Sequence, residues 1–177
     1  MFGAVADTLL SPLVWWVARW ARRRETAILR AGWPLAPDQL ALARAVGVAA
    51  PKRVRVQPAA SVPMPLPRLV RRAAELLGCL SPHIAGMTLG YGIVLRQDVC
   101  GDLVLLAHEL AHVAQYERLG RFRGFLRQYV RECLWPGYPR GPLEIEARAA
   151  EVIAVTSASR QSTTQGRGNV IPYAAIR

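Results

Sequence analysis

Residues 103–119 read LVLLAHELAHVAQYERL, a run free of glycine and proline that Gly120 closes. Leu103, Leu105, Leu106, Leu110 and Val113 give it apolar flanks, and it is the most regular helical segment in the chain. Inside it lies His108-Glu109-Leu110-Ala111-His112. The chain has only 3 histidines. Chance would therefore place His-Glu-x-x-His in roughly 0.002 chains of this composition. Residues at i and i+4 share one helical face, so both imidazoles can reach a single zinc ion at about 2.0–2.1 Å. Glu109, beside the first histidine, is placed to take a proton from a water in the open coordination position and return it to a leaving amine. A buried helix whose two histidines merely bond to neighbours would need several further polar partners for two rings and a carboxylate.

The third ligand decides the subclass. Gln115 and Arg118 stand where an extended three-histidine motif needs its glycine and its last histidine, so that type is excluded. No histidine or aspartate follows His112, which leaves glutamate. Glu117 is too near on the same helix, and Glu132, Glu144, Glu146 and Glu151 remain. An acidic first turn at a helix N-terminus would by itself account for Glu144 and Glu146.

With His108-Glu109-x-x-His112 followed by Glu144-Ile145-Glu146-Ala147-Arg148, the sequence resembles the glutamate-zincin metallopeptidases, particularly their small single-domain members. The resemblance covers about residues 86–151. It implies a zinc peptidase in which His108, His112 and Glu144 bind the metal, Glu109 is the general base, and Glu146 is the rival third ligand. Arg148 stands where the family has an acidic residue that supports a ligating histidine. The resemblance also implies that the strand before the metal helix, here within Gly86–Leu95, pairs with an extended peptide or protein substrate. Tyr91, Tyr116 and Tyr138 could each donate to a tetrahedral intermediate. Tyr138, in the loop before the glutamate segment, is the best placed, although packing is the commoner use of a tyrosine. His83 reads as a loop residue.

Outward from the motif, Ser11-Pro12 is a helix start, and Leu13, Trp16, Val17, Trp20, Ala27, Ile28 and Ala31 form its apolar face until Gly32 and Pro34 end it. Residues 37–46 form a second helix stopped by Gly47, Val54–Val56 a short strand, and 67–77 a third helix. Five prolines make 51–67 a semi-rigid connector. The glycines of 86–95 suit a kinked strand or a hairpin. Helices follow at 122–134 and from Pro142 to about Ala154, and then a Ser/Thr/Gln/Gly-rich tail. The expected fold is α+β, mostly helical with a small sheet and the metal between the His-Glu-x-x-His helix and the last helix. Three segments are expected: an N-terminal amphipathic helix (1–35), a zincin-like domain (36–157) and a flexible tail (158–177).

At 177 residues, one ordinary domain is expected, and 52% hydrophobic residues exclude a wholly disordered chain. The net charge is +11, with Lys52 the only lysine. Such a charge favours anionic partners such as nucleic acid, acidic lipid or an acidic protein, while arginines spread along the chain rather than gathered in one tract equally suit a chain that uses Arg where others use Lys; nucleic acid is not the expected partner. Trp15, Trp16 and Trp20 beside Arg19 and Arg22–Arg24 suit a peripheral membrane contact, while the lack of a clean opposite face suits a core helix with a solvated arginine edge. Three cysteines without CxxC spacing and an N-terminus without a basic n-region point to a reducing, cytoplasmic setting, with membrane association as the alternative. The alternative functions are a noncatalytic basic protein docking on membrane or nucleic acid, and a degenerate peptidase fold that keeps zinc for structure.

Overall fold

Asp102 starts the central helix. Its carboxylate accepts from the backbone N–H groups of Val104 (2.8 Å) and Leu105 (3.2 Å), which would otherwise lack partners. The computed structural model describes residues 2–65, 68–76 and 84–164. In chain order these form α1 (Phe2–Ala31), β1 (Trp33–Pro34), α2 (Pro37–Val46), β2 (Arg55–Ala59), α3 (Arg68–Leu76), β3 (Gly86–Leu89), β4 (Gly92–Arg96), α4 (Leu103–Arg118), α5 (Arg121–Glu132) and α6 (Pro142–Thr164). The fold is α+β, mostly helical with one small mixed sheet.

The four strands lie in the order β1-β2-β4-β3. β3 and β4 form an antiparallel hairpin, with Gly86 opposite Leu95 and Leu89 opposite Gly92. β2 runs parallel to β4, from Arg55 opposite Gly92 to Ala59 opposite Arg96. Of the two readings open for residues 86–95, the hairpin is the one formed. Gly90 turns it with a φ of 67°, and a side chain there would collide with the Glu25 carboxylate, which accepts from the Tyr91 N–H at 2.9 Å. The proline-rich connector is in part a strand: β2 lies within it, and Pro51 and Val62 are buried. Pro58 is tolerated because β1 pairs only with Arg55 and Val56, so the far edge of β2 has no ladder bond to lose there.

The core lies where α4 crosses the sheet. Leu106, Leu110 and Val113 of α4, Ile93 and Leu95 of β4, and Ile28 of α1 are buried in one cluster. Each such side chain contributes about 1.5–3 kcal/mol. Glu117 ties α4 to the α2–β2 loop by accepting from the N–H groups of Ala49 (2.7 Å) and Ala50 (3.0 Å) and from the Tyr91 hydroxyl (2.9 Å).

Two expectations are corrected here. α1 begins at Phe2, not Ser11, with Pro12 inside it. Its inner face is Val14, Ala18, Ala21 and Ile28, while Trp15, Trp16, Ala27 and Ala31 are exposed and Val17 and Trp20 half-buried. Small alanines let the helix approach the sheet closely, and the bond from Tyr91 draws Glu25 inward. Of the expected face Ile28 is buried and Trp20 packs partly against the core, while the side chain of Leu13 lies outside the described residues; choosing by the largest apolar side chains passed over Val14, Ala18 and Ala21. α6 also runs ten residues past its expected end. Ser157–Thr164 contains no glycine or proline, and extending an existing helix is far cheaper than starting one. The rest of the expected tail, along with His83 and both ends of the third helix, lies outside the described residues. Among the described residues, no helix is long and apolar enough to cross a membrane.

Candidate metal centre

α4 and α6 pack side by side, and the motif of one faces the first turns of the other. His108 and His112 sit one turn apart with ring centroids 4.9 Å from each other and planes at 81°. Glu144, two residues into α6, points between them. His112 Nε2 lies 3.5 Å from Glu144 Oε1, and His108 Nε2 lies 3.6 Å from Oε2. One ligand atom from each of the three lies within 4.8 Å of the others. His112 and Glu144 are buried and His108 half-buried.

Both rings are held from behind. His108 Nδ1 donates to Glu151 Oε1 at 2.8 Å, since an ionised carboxylate can only accept. His112 Nδ1 meets Gln115 Oε1 at 2.8 Å. The buried Gln115 donates its amide N–H to the Leu143 carbonyl at 2.9 Å, which fixes its oxygen toward the ring. Both Nδ1 atoms therefore point to acceptors, and both Nε2 atoms face Glu144. Such back-bonding sets the tautomer and orientation of metal-binding histidines.

Glu144 completes the picture by what it lacks. Tyr129 donates its hydroxyl to Oε1 at 2.8 Å, but Oε2 is buried with no hydrogen-bonding partner among the described residues. An orphaned carboxylate oxygen costs at least about 1–3 kcal/mol unless something positive meets it. The gaps of 3.5 and 3.6 Å are too long for hydrogen bonds. They match the edge of a coordination tetrahedron, about 3.4 Å for bonds of about 2.1 Å. Two imidazoles and a carboxylate form a donor set suited to zinc. On these observations the residues fit a divalent ion.

The charges agree. Burial disfavours a charged His112, yet the carboxylates of Glu144 and Glu109 outweigh it and raise its pKa. Burial likewise works against the Glu144 carboxylate, and His112, Tyr129 and His108 hold its pKa down nonetheless. Burial and then Glu144 push the Tyr129 phenol well above its ordinary value, so it stays a donor.

Glu109 is buried beside this cluster. The Thr88 hydroxyl lies 2.7 Å from its Oε2 and 2.8 Å from its backbone carbonyl. Its carboxylate lies against Gly86 so closely that a Cβ on that residue would come within 2.5 Å of Oε1. β3, the outer strand of the sheet, thus carries both groups that confine Glu109.

The remaining candidates go elsewhere. Glu146, the rival third ligand, turns outward and forms a two-pronged pair with Arg118, both contacts at 2.8 Å. Glu132 caps α6 by accepting from the Leu143 N–H at 2.8 Å. Tyr91 donates to Glu117, and Tyr116 packs edge-on against Phe122. Tyr138 is half-buried; its phenol is pushed up first by burial, then by Glu144, with Glu109 also adding.

Sequence reasoning missed the supports. The acidic support absent at Arg148 is provided by Glu151, seven residues after Glu144 on the same face of α6. Gln115 and Tyr129 were not singled out for the site, nor Thr88. Spacing could have found two of them: Gln115 follows His112 by three residues, and Glu151 follows Glu144 by two helical turns. No protein-family model, curated protein or solved structure matches this chain.

Proposed function

We propose that the chain is a zinc-dependent hydrolase of peptide bonds, of the glutamate-zincin type. The observation that carries this reading is the orphaned Glu144 Oε2, aimed with two back-bonded imidazoles at one point beside Glu109. Zinc, if held there by His108, His112 and Glu144, would supply a Lewis acid and acidify a water. The Glu109 carboxylate is the group that would take a proton from the attacking water and hand it to the leaving nitrogen. Thr88 and Gly86 keep the Glu109 carboxylate in place during both transfers. We assign the role of donor to a developing oxyanion to Tyr138, whose pKa burial and then Glu144 raise. Among the described residues β3 pairs only with β4, so its outer edge can take an extended peptide alongside Thr88.

The test joins metal analysis to turnover. The purified chain should hold one zinc per molecule and cleave a peptide library, and Glu109→Gln should keep the zinc while losing activity. Cleavage by Glu109→Gln at the rate of the unaltered chain overturns the reading. A metal kept only for structure is the second reading, favoured by the near-complete burial of Glu109, His112 and Glu144. It expects chelator to lower the melting temperature with no turnover in any form.

A further inference from the structure

The outer face of α1 gathers exposed tryptophan and arginine. Among residues 12–31 it presents Trp15, Trp16, Arg19, Arg22, Arg23 and Arg30, all exposed, while Val14, Ala18, Ala21 and Ile28 face the core. Trp15 is 53% and Trp16 45% exposed, much indole to leave in water. The Arg19 guanidinium stands over the Trp15 ring, 5.9 Å from its centroid. Glu25 is the only acidic residue in this stretch, and it is turned to the Tyr91 N–H. The face is therefore cationic and aromatic.

We infer that this face of α1 docks on an anionic phospholipid surface. Charge complementarity favours an anionic partner, and the exposed indoles standing among the arginines select a lipid one. Indole and guanidinium both suit the headgroup level of a bilayer, where a helix of this kind lies in the plane of the surface. A nucleic-acid strand is instead tracked by a positive groove with bases stacked along its length, and the outer side of a single helix is convex.

The experiment is vesicle co-sedimentation of the full chain, followed by tryptophan emission. Vesicles of phosphatidylcholine with about 30% phosphatidylserine should bind it and shift the indole emission to the blue, and vesicles of phosphatidylcholine alone should not. Reversing Arg19→Glu and Arg23→Glu together should lower partitioning by about thirtyfold or more. Arg44→Glu with Arg72→Glu makes the same change in net charge at exposed sites on α2 and α3, and should leave partitioning within about twofold. A third variant, Trp15→Ala with Trp16→Ala, leaves charge untouched and should abolish the blue shift. Equal losses in the two charge-reversed forms, an unshifted emission on anionic vesicles, or displacement of the chain from vesicles by an oligonucleotide at equal phosphate would each overturn the inference.

Discussion

Glu144 Oε2 faces His108 Nε2 across 3.6 Å, and among the described residues the buried Oε2 has no hydrogen-bonding partner to explain its position. The distance is too long for a hydrogen bond and too short for a water to stand between them. A proton on Nε2 would answer the carboxylate only weakly at this range, whereas a divalent ion can reach both atoms at bonding distance. The pairing thus sets up a group of donors without an acceptor of their electron pairs, tied to two different helices. An ion held by all three would join α4 and α6, so its binding would contribute to folding.

Replacing Glu144 by Gln tests this directly. The amide removes the charge that faces two imidazoles, and zinc content should fall from one equivalent to a small fraction of it. The unaltered chain should melt several degrees lower after chelator treatment, and Glu144→Gln should melt at one temperature with or without chelator. Calorimetry with added zinc reads both. A melting temperature in the unaltered chain that ignores chelator would count against an ion shared by α4 and α6.

Glu146 lies two residues away and should behave differently. Its pair with Arg118 is exposed, so Glu146→Gln should leave zinc content unchanged and cost only a few tenths of a kcal/mol at neutral pH. The Arg118 guanidinium, against a smaller opposing effect of burial, holds the Glu146 carboxyl below its ordinary value of 4.5. A carboxylate lowered in the folded state stabilises above its unfolded pKa and loses that stabilisation as pH falls through the folded one. The stability gap between the two forms should therefore be constant above about pH 5 and close below about pH 4. Denaturant melts across that range measure it.

The groups behind the rings should tune affinity rather than decide it. Gln115→Ala strands His112 Nδ1 and the Leu143 carbonyl together, and Glu151→Ala frees His108 Nδ1 at a half-exposed edge. Each should weaken zinc binding by about 10–100-fold. Only Gln115→Ala should also destabilise the metal-free chain, by about 2–4 kcal/mol, because two buried polar groups lose their partner. Competition with a chromophoric chelator and metal-free melts separate the two effects.

How much of this was legible in the sequence depends on the kind of signal. His108, Glu109 and His112 lie on one helix, so spacing alone fixes their common face. Glu144 needed a resemblance, because nothing local distinguishes it from Glu146; the structure separates them by where α6 packs, which turns one inward and the other to Arg118. Tyr129, Thr88 and Gly86 reach the site from α5 and β3, and only tertiary packing places them there. α1 shows the converse. Its helical period was readable, but its buried face was not, since close approach to the sheet favoured Ala18 and Ala21 over the tryptophans.

Gly86 offers the sharpest test of how Glu109 is held. Its position at the start of β3 is ordinary strand, so alanine is permitted by the backbone and the issue is space alone. A Cβ there would stand 2.5 Å from Glu109 Oε1 and 2.9 Å from Cδ, closer than such atoms can be. Glu109 cannot simply lean away, because Thr88 fastens its other oxygen at 2.7 Å and its backbone belongs to the buried face of α4. The carboxylate must then leave its place while His108, His112 and Glu144 keep theirs. Gly86→Ala is expected to retain a full equivalent of zinc and to lose about 100-fold in kcat with little change in KM, as befits a misplaced proton carrier. Thr88→Val should lose less, about tenfold, since it loosens the carboxylate without displacing it. Full activity in Gly86→Ala would mean that the carboxylate of Glu109 need not stand where β3 confines it.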